Sequence, residues 1–275
     1  MGEKKHGLKG RAITCCVIFI LCIAVMDYPF VARLYNEWVQ GEVALNYKSR
    51  TKNAREDWEA QWEQAVEYNR RLASGTGNPE LLLLEDAGED EVMALIEIPK
   101  IRVSLPVYHG TSQAVLQKGA GHLEGTSLPT GGPGTHTVIS AHRGLPDCRM
   151  FTDLDQMKVG DVFFIHFLQE ILAYQVTETE IVRPDQTESL AICEGEDLAT
   201  LVTCTPYGIN THRMYVHGRR IPYEDSLRDA AFREGKKGRW MQYWWIAATI
   251  ALLGWMGILL ALLNKTKGRR ERHMK

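Results

Sequence analysis

The spacing of apolar and polar positions changes character several times along the chain. From Ala12 to Met26 nearly every residue is apolar, with Lys4, Lys5, Lys9 and Arg11 ahead of the run and Asp27 closing it. A basic flank followed by a short apolar stretch predicts a signal peptide or a signal anchor. From about Ala32 to Ser74 the pattern becomes helical. Trp58, Trp62, Ala65, Val66, Tyr68 and Leu72 recur at helical spacing, and Glu67 and Arg71 form an i,i+4 pair. These residues predict helices that leave the membrane and pack on the following domain. Gly75-Thr76-Gly77-Asn78-Pro79 ends the periodicity, and Leu81 to Leu84 leads into an acidic run, Glu85 to Glu91, that reads as a linker or flap. The run lacks the Asp/Asn alternation closed by a distant Glu that a calcium loop uses, so it predicts a solvated charge cluster.

After Val92 the period shortens. Val92–Ile98, Arg102–Tyr108, Thr135–Ala141, Val162–Phe167, Leu172–Val182, Leu198–Cys204 and Arg213–Ile221 are rich in β-branched or aromatic residues and separated by Gly, Pro or Asp. Many short strands with few long helices predict a mainly β domain, a barrel or a sandwich. Short helices are expected over Ser112–Lys118 and around Arg149–Met157. A second apolar segment, Trp240 to Leu263, carries no charge and opens with Trp240, Tyr243, Trp244 and Trp245. It is long enough to span a bilayer with aromatics at the interface. The basic tail that follows, Lys265 to Lys275, places the C-terminus on the cytoplasmic side. With a basic N-terminus also inside, the middle domain is expected on the outer face of the membrane.

Composition adds exclusions. A formal charge of −2 over 275 residues does not suit a nucleic-acid-binding polyelectrolyte. Of the six cysteines, Cys15, Cys16 and Cys22 fall within the first apolar run. Cys148, Cys193 and Cys204 remain for the exported domain. That odd number leaves at least one thiol free or paired with another molecule. No close Cys-x-x-Cys or His-x-x-x-His pair supports a zinc site, and no cofactor motif is present.

Cys204 is the thiol with the most telling setting. Thr200-Leu-Val-Thr-Cys204 ends one predicted strand, and Arg213 opens the next after Pro206, Gly208 and Asn210, residues suited to a chain reversal. Antiparallel pairing of the two strands puts the thiol beside a permanent cation whose planar donors can hold an oxyanion. Acyl transfer at a cysteine also needs a proton donor and acceptor. His142, which ends Thr137-Val-Ile-Ser-Ala141 and precedes Arg143-Gly144, is the best-placed histidine; His109, His122, His136, His166 and His217 read as structural or surface residues.

These residues resemble a known family. Thr-Leu-Val-Thr-Cys-Thr-Pro-Tyr-Gly-Ile-Asn-Thr-His-Arg and Thr-His-Thr-Val-Ile-Ser-Ala-His-Arg-Gly are similar to the sortases, and specifically to the class C or pilin-polymerising branch, over roughly Val92 to Ile221. Phe151-Thr152-Asp153-Leu154, Val159-Gly160-Asp161 and the second membrane segment agree with that branch. The resemblance implies an eight-stranded sortase-type β-barrel, with N-terminal helices and terminal membrane segments. It also implies a cysteine transpeptidase acting on a Leu-Pro-x-Thr-Gly-like sorting signal. By carry-over Cys204 attacks the threonine carbonyl, His142 protonates the departing glycine amine, Arg213 steadies the oxyanion, and a pilin lysine resolves the thioester. The implied partners are pilin or surface-protein substrates, the acceptor lysine and the lipid bilayer.

The layout expected from this reading is a basic end and signal anchor over 1–31, helices and flap over 32–91, and a catalytic barrel over 92–222. A juxtamembrane linker over 223–239, a transmembrane helix over 240–263 and a cytoplasmic tail over 264–275 follow. In one respect the chain departs from the branch: its lid carries an Asp-Pro-aromatic motif, whereas Asn78-Pro79-Glu80 stands here, which implies weak autoinhibition. Attachment of surface proteins to peptidoglycan is the alternative within the family, and an exported non-enzymatic binding module is the alternative outside it.

Overall fold

The structure is a computed structural model that describes residues 3–53, 57–75, 91–145, 148–235, 247–255 and 257. The Asn78-Pro79-Glu80 segment, the acidic run up to Asp90, most of the 240–263 segment and the basic tail lie outside the described residues. The chain divides into two compact units, residues 1–28 with 236–275, and Pro29–Gly235. In the first, the N-terminal apolar run belongs to helix α1 (Glu3–Asn53), and residues 247–255 are also helical. The stretch Val17–Thr51 of α1 contains a window long and apolar enough to cross a membrane, with mean hydropathy 2.0.

The second unit holds a closed barrel of eight strands: β1 (Ala94–Ile98), β2 (Val103–His109), β3 (Ala120–His122), β4 (Thr135–Ser140), β5 (Val162–Phe167), β6 (Glu170–Val182), β7 (Asp197–Thr205) and β8 (His212–Ile221). Their order around the barrel is β1-β2-β3-β4-β7-β8-β6-β5. Closure leaves no exposed sheet edge in the unit. Alternate residues point inward, so Ile96, Ile98, Val107, Ile139, Phe163, Ile165, Tyr174, Leu201 and Val216 meet in one core. Phe163 stacks on Tyr174 with ring centroids 5.6 Å apart. Gly218 makes room for the stack, since a Cβ there would lie 2.6 Å from the Phe163 ring.

Seven strands lie where the apolar alternation predicts them. The eighth, β3, is only three residues long and is written Ala-Gly-His. It pairs parallel with β2 and antiparallel with β4. A Cβ at Gly121 would run into the carbonyl oxygen of Gly110, so the residue that weakens the sequence signal is the one that permits the close approach. Helix α3 (Gln113–Lys118) is capped by Ser112, whose hydroxyl accepts from Val115 N. Around Arg149–Met157, where a short helix is expected, only a single 3-10 turn forms, Leu154–Gln156.

Helices flank the barrel as the heptad-like pattern predicts. In α2 (Asp57–Ala73), Ala65 and Tyr68 join the barrel's hydrophobic cluster, and Asn69 bonds Leu128 O, Leu128 N and Thr130 Oγ1 at 2.7–2.9 Å. The Glu67–Arg71 pair forms at 2.7 Å, with Arg70 also on Glu67. On α1, Ala44 and Tyr47 cover Leu95 on the outer face of β1. The next outward residue, Glu97, is buried and receives Lys48 of α1 at 2.6 Å, His166 of β5 at 2.9 Å, and Arg228 at 2.9 Å. Arg228 belongs to α4 (Asp225–Gly235), a helix within the stretch expected as a linker. One carboxylate thus ties the helix before the barrel and the helix after it to the barrel wall.

Candidate active site

The β7–β8 hairpin builds the first half of the site. Its register places Cys204 opposite Arg213, as the sequence predicts. The reversal between them is closed by Ile209 N and Asn210 N donating to Pro206 O at 3.1 and 3.0 Å, with Asn210 in the left-handed region at φ 62°. Arg213 Nη1 donates to His212 O at 3.1 Å and to Asn210 O at 3.3 Å. Those contacts hold one arm of the guanidinium at the hairpin mouth. His212, its neighbour, pairs with Thr205 instead of Cys204.

A parallel pairing brings the second half. β4 runs alongside β7 with Ser140 opposite Val202, and Ala141 N donates to Val202 O at 3.1 Å. Thr203 Oγ1 then donates to Ala141 O at 2.8 Å. His142 follows Ser140 by two residues and Cys204 follows Val202 by two, so both lie at the same end of the β4–β7 pair. The three sequence-predicted residues are therefore brought to one end of three adjacent strands, β4, β7 and β8. Cys204 is partly exposed there, so a reagent can reach it.

His142 Nε2 is buried and has no hydrogen-bond partner among the described residues. Burial draws its pKa below the usual imidazole value, because the charged ring gives up hydration without a compensating carboxylate. An unpartnered ring nitrogen is suited to take up or release a proton on an arriving group.

The residue that sequence reasoning missed is Arg143. Its Nη1 donates to Thr205 Oγ1 at 3.2 Å and its Nη2 to Asp155 Oδ2 at 2.6 Å. Thr205 follows Cys204, and Arg143 follows His142. The guanidinium therefore bridges the two segments that carry the candidate nucleophile and acid. Gly144, at φ 85°, lets the Tyr207 ring approach: a Cβ there would lie 3.2 Å from it. The Arg143-Gly144 dipeptide after His142 is the sequence signal for this bridge, but only the fold identifies Thr205 as its partner.

Next to Cys204 on the same face, Val202 joins Val138, Tyr215 and Leu190, with Leu123 and Val182 packed against them. Leu190 sits on the β6–β7 connection, so this segment walls an apolar surface beside the thiol. The other two cysteines of the domain are not joined by a disulfide: Cys193 is exposed, while Cys148 is buried with Sγ accepting from Asn36 Nδ2 at 3.3 Å. His122, His136 and His166 are buried and hydrogen-bonded, in keeping with structural roles.

The Sortase domain model matches residues 96–221, from within β1 to the end of β8. Among solved structures, sortase C of Clostridium perfringens, determined with its C-terminal cell wall sorting motif, is 42% identical with TM-score 0.62, the match covering 66% of this chain and 99% of that one. The chain belongs to the sortase family. Its likeness to class C members is repeated in sortase C of Streptococcus pneumoniae, at 44% identity and TM-score 0.60, covering 66% of this chain and 97% of that one. Sortase D of Bacillus subtilis is more distant, 27% identical over 134 residues; that match covers 48% of this chain and 65% of the relative. Sortases are cysteine transpeptidases, and this sortase presents a reachable thiol, an unpartnered imidazole nitrogen and a guanidinium at one end of its barrel.

Proposed function

We propose that this sortase polymerises pilins: it cleaves a Leu-Pro-x-Thr-Gly-like sorting signal between Thr and Gly and transfers the acyl group to a lysine amine of another subunit. The observation that carries the reading is the register of Cys204 with Arg213 on β8, with His142 two residues past the end of β4, the strand that pairs with β7. The class C likeness at 42–44% identity supports the branch.

In the first half-reaction the Cys204 thiolate attacks the threonine carbonyl carbon, and Arg213 holds the oxyanion of the tetrahedral intermediate through its planar donors. As that intermediate collapses the carbon–nitrogen bond breaks, and the His142 imidazolium delivers a proton to the leaving glycine amine. In the second half the lysine amine attacks the thioester, His142 takes the amine proton, and the carbon–sulfur bond breaks to restore the thiolate. The thioester retains the acyl-transfer potential of the peptide bond, so no nucleotide enters the balance. The buried apolar cluster of Val138, Leu190, Val202 and Tyr215 lies along β7 from Cys204, and a water-poor neighbourhood of that kind lets an amine compete for the thioester.

The same reading makes α1 a membrane anchor and the 240–263 segment a second span, with basic residues at both ends on the cytoplasmic side and the barrel outside. Attachment of substrates to peptidoglycan differs only in the amine that resolves the thioester.

The test is mass spectrometry of the full-length enzyme incubated with a sorting-signal peptide. An acyl adduct on Cys204, absent in Cys204→Ala, is expected; a wild-type enzyme that never acquires it refutes the transpeptidase reading. Competition between a pilin lysine and a wall-precursor amine for the preformed acyl-enzyme then separates polymerisation from wall attachment.

A further inference from the structure

Two residues along β7 from the apolar surface beside the thiol, the outward side chains form an unbroken chain of hydrogen bonds across four strands. Glu180 Oε1 on β6 meets His217 Nε2 on β8 at 3.0 Å. His217 Nδ1 meets Thr200 Oγ1 on β7 at 2.8 Å. Thr200 Oγ1 meets His136 Nε2 on β4 at 2.7 Å, and His136 Nδ1 meets Ala191 O at 2.9 Å. Ala191 lies on the β6–β7 connection, directly after Leu190. Ser189, on the same connection, bonds the Glu180 carboxylate, and Tyr215 OH donates to Gln186 O at 3.2 Å.

Counting protons along this chain gives a definite result. Its two ends, the carboxylate and the carbonyl oxygen, are acceptors only. Four hydrogen bonds need four protons, while two neutral imidazoles and one hydroxyl supply three. With three protons, one contact must set two lone pairs against each other at hydrogen-bond distance, which is unfavourable in a buried site. A fourth proton removes that conflict.

We propose that His136, Thr200, His217 and Glu180 share one excess proton, and that this relay holds the β6–β7 connection against the barrel, making His136 and His217 positioning residues for the wall beside Cys204.

The direction of the Thr200 hydroxyl decides which ring carries the charge. If it donates to His136 Nε2, His217 holds both ring protons, one aimed at Thr200 and one at Glu180. If it donates to His217 Nδ1, His136 holds both. The surroundings favour the first. Burial draws the pKa of His136 below the usual imidazole value, whereas Glu180 is held below the usual carboxylate range by the Ser189 hydroxyl and by His217, against burial. The carboxylate thus stays ionised beside His217. Other charged groups around the relay are Glu178 opposite His217 on the β6–β8 ladder, Glu188 and Glu194 on the connection, Arg213 on β8, and Arg219, which pairs with Glu196 at 3.2 Å. No cation among these is hydrogen-bonded to either ring, so none replaces the proton.

Residues of the connection, Leu190 and Ala191, also line a cavity of about 570 Å³ together with His136, Thr126 and Leu72. Removing the fourth proton leaves one of the four contacts without a hydrogen, and where that contact is His136 with Ala191 O the segment that carries Leu190 loses its tie to β4.

The experiment uses the full-length chain in detergent, labelled with ¹⁵N in the histidine rings. At neutral pH the spectrum is expected to show His217 with both ring nitrogens protonated and His136 as the neutral Nδ1–H tautomer, each assigned by loss of its signal in His217→Gln or His136→Gln. As pH rises and the relay loses its fourth proton, amide exchange within residues 183–196 should accelerate at the midpoint of the change in the ring spectra. Thr200→Val should make the two rings titrate independently and abolish that midpoint, and Thr200→Ser should restore both. Finding His136 and His217 both neutral while the connection is still protected overturns the proposal, as does a His217 titration that leaves exchange unchanged. A Thr200→Val chain that fails to fold leaves the wild-type titration and Thr200→Ser decisive. The effect on the groove rests on the transpeptidase reading: Thr200→Val should raise KM for the sorting-signal peptide about tenfold with little change in kcat. An enzyme without transfer activity would refute that reading, while the ring spectra would still judge the relay.

Discussion

Arg143 donates from Nη1 to Thr205 Oγ1 at 3.2 Å, which links the residue after the candidate acid to the residue after the candidate nucleophile. The bridge spans two strands that are remote in sequence, and its other arm reaches Asp155 at 2.6 Å. Catalysis that depends on the separation of sulfur and imidazole should be sensitive to it. Arg143→Ala is expected to lower kcat of acyl-enzyme formation by about 10- to 100-fold, since misplacement by an ångström is enough for losses of that size. Arg143→Lys, which keeps charge but not the two-armed plane, should recover only part. Single-turnover kinetics with melting curves on the same samples check this; a wild-type rate in the alanine variant removes Arg143 from the site.

Arg213 stands opposite Cys204 with one arm of its guanidinium held by two backbone carbonyls. Arg213→Lys should reduce kcat/KM by about 100- to 1,000-fold, the scale of a lost oxyanion donor, because an ammonium is a point charge with no fixed donor plane. Turnover close to wild type would exclude the proposed role.

The pH profile has a definite sign. In the proposed mechanism the active form pairs a thiolate with an imidazolium, and a thiol is ordinarily a weaker acid than an imidazolium. Below the pKa of the histidine the imidazolium is complete and only the thiolate population changes, falling as the pH drops. The acid limb of kcat/KM therefore marks His142, whose pKa is drawn down by burial. The limb should lie below about 6.5, the usual imidazole value. An acid limb above that value, measured with saturating acceptor amine, would contradict the buried setting of the ring.

Glu97 makes a prediction about stability. Burial alone would raise its carboxyl pKa, but hydrogen bonds and charge from His166 and Lys48 outweigh burial and hold it well below the usual carboxylate range. A carboxylate with a depressed folded pKa contributes stability above its unfolded pKa, and that stability is lost as pH falls through and below about 4.3. Glu97→Gln should cost about 3–5 kcal/mol at neutral pH by leaving Lys48 and Arg228 without their shared partner. It should also flatten the acid dependence of the denaturation midpoint. Equal acid sensitivity in the variant and the wild type would show that another group governs it.

Much of this was legible in the chain. Seven strands announced themselves because each is a β-branched or aromatic run, and the Cys204–Arg213 register followed from a hairpin whose two strands are neighbours in sequence. β3 was hidden by Gly121, since the glycine needed for close approach carries no strand signal. The alignment of His142 with Cys204 depends on a parallel pairing between strands with β5 and β6 between them, which spacing alone does not encode. The His136–Thr200–His217 chain was hidden for a similar reason. Its members sit on β4, β7 and β8, each an ordinary residue in its own strand, and only the barrel makes them neighbours. Arg143 was visible as a residue but not as a bridge.

The β4–β7 pairing has a consequence for the life of the molecule before it is complete. A hairpin can form locally, so sulfur and guanidinium can meet early, whereas a parallel ladder across so long a crossover requires a slow, non-local closure. Until that ladder closes, the thiol has no acid beside it. If His142 is the acid of the proposed mechanism, a nascent copy stays chemically silent until this non-local ladder has formed.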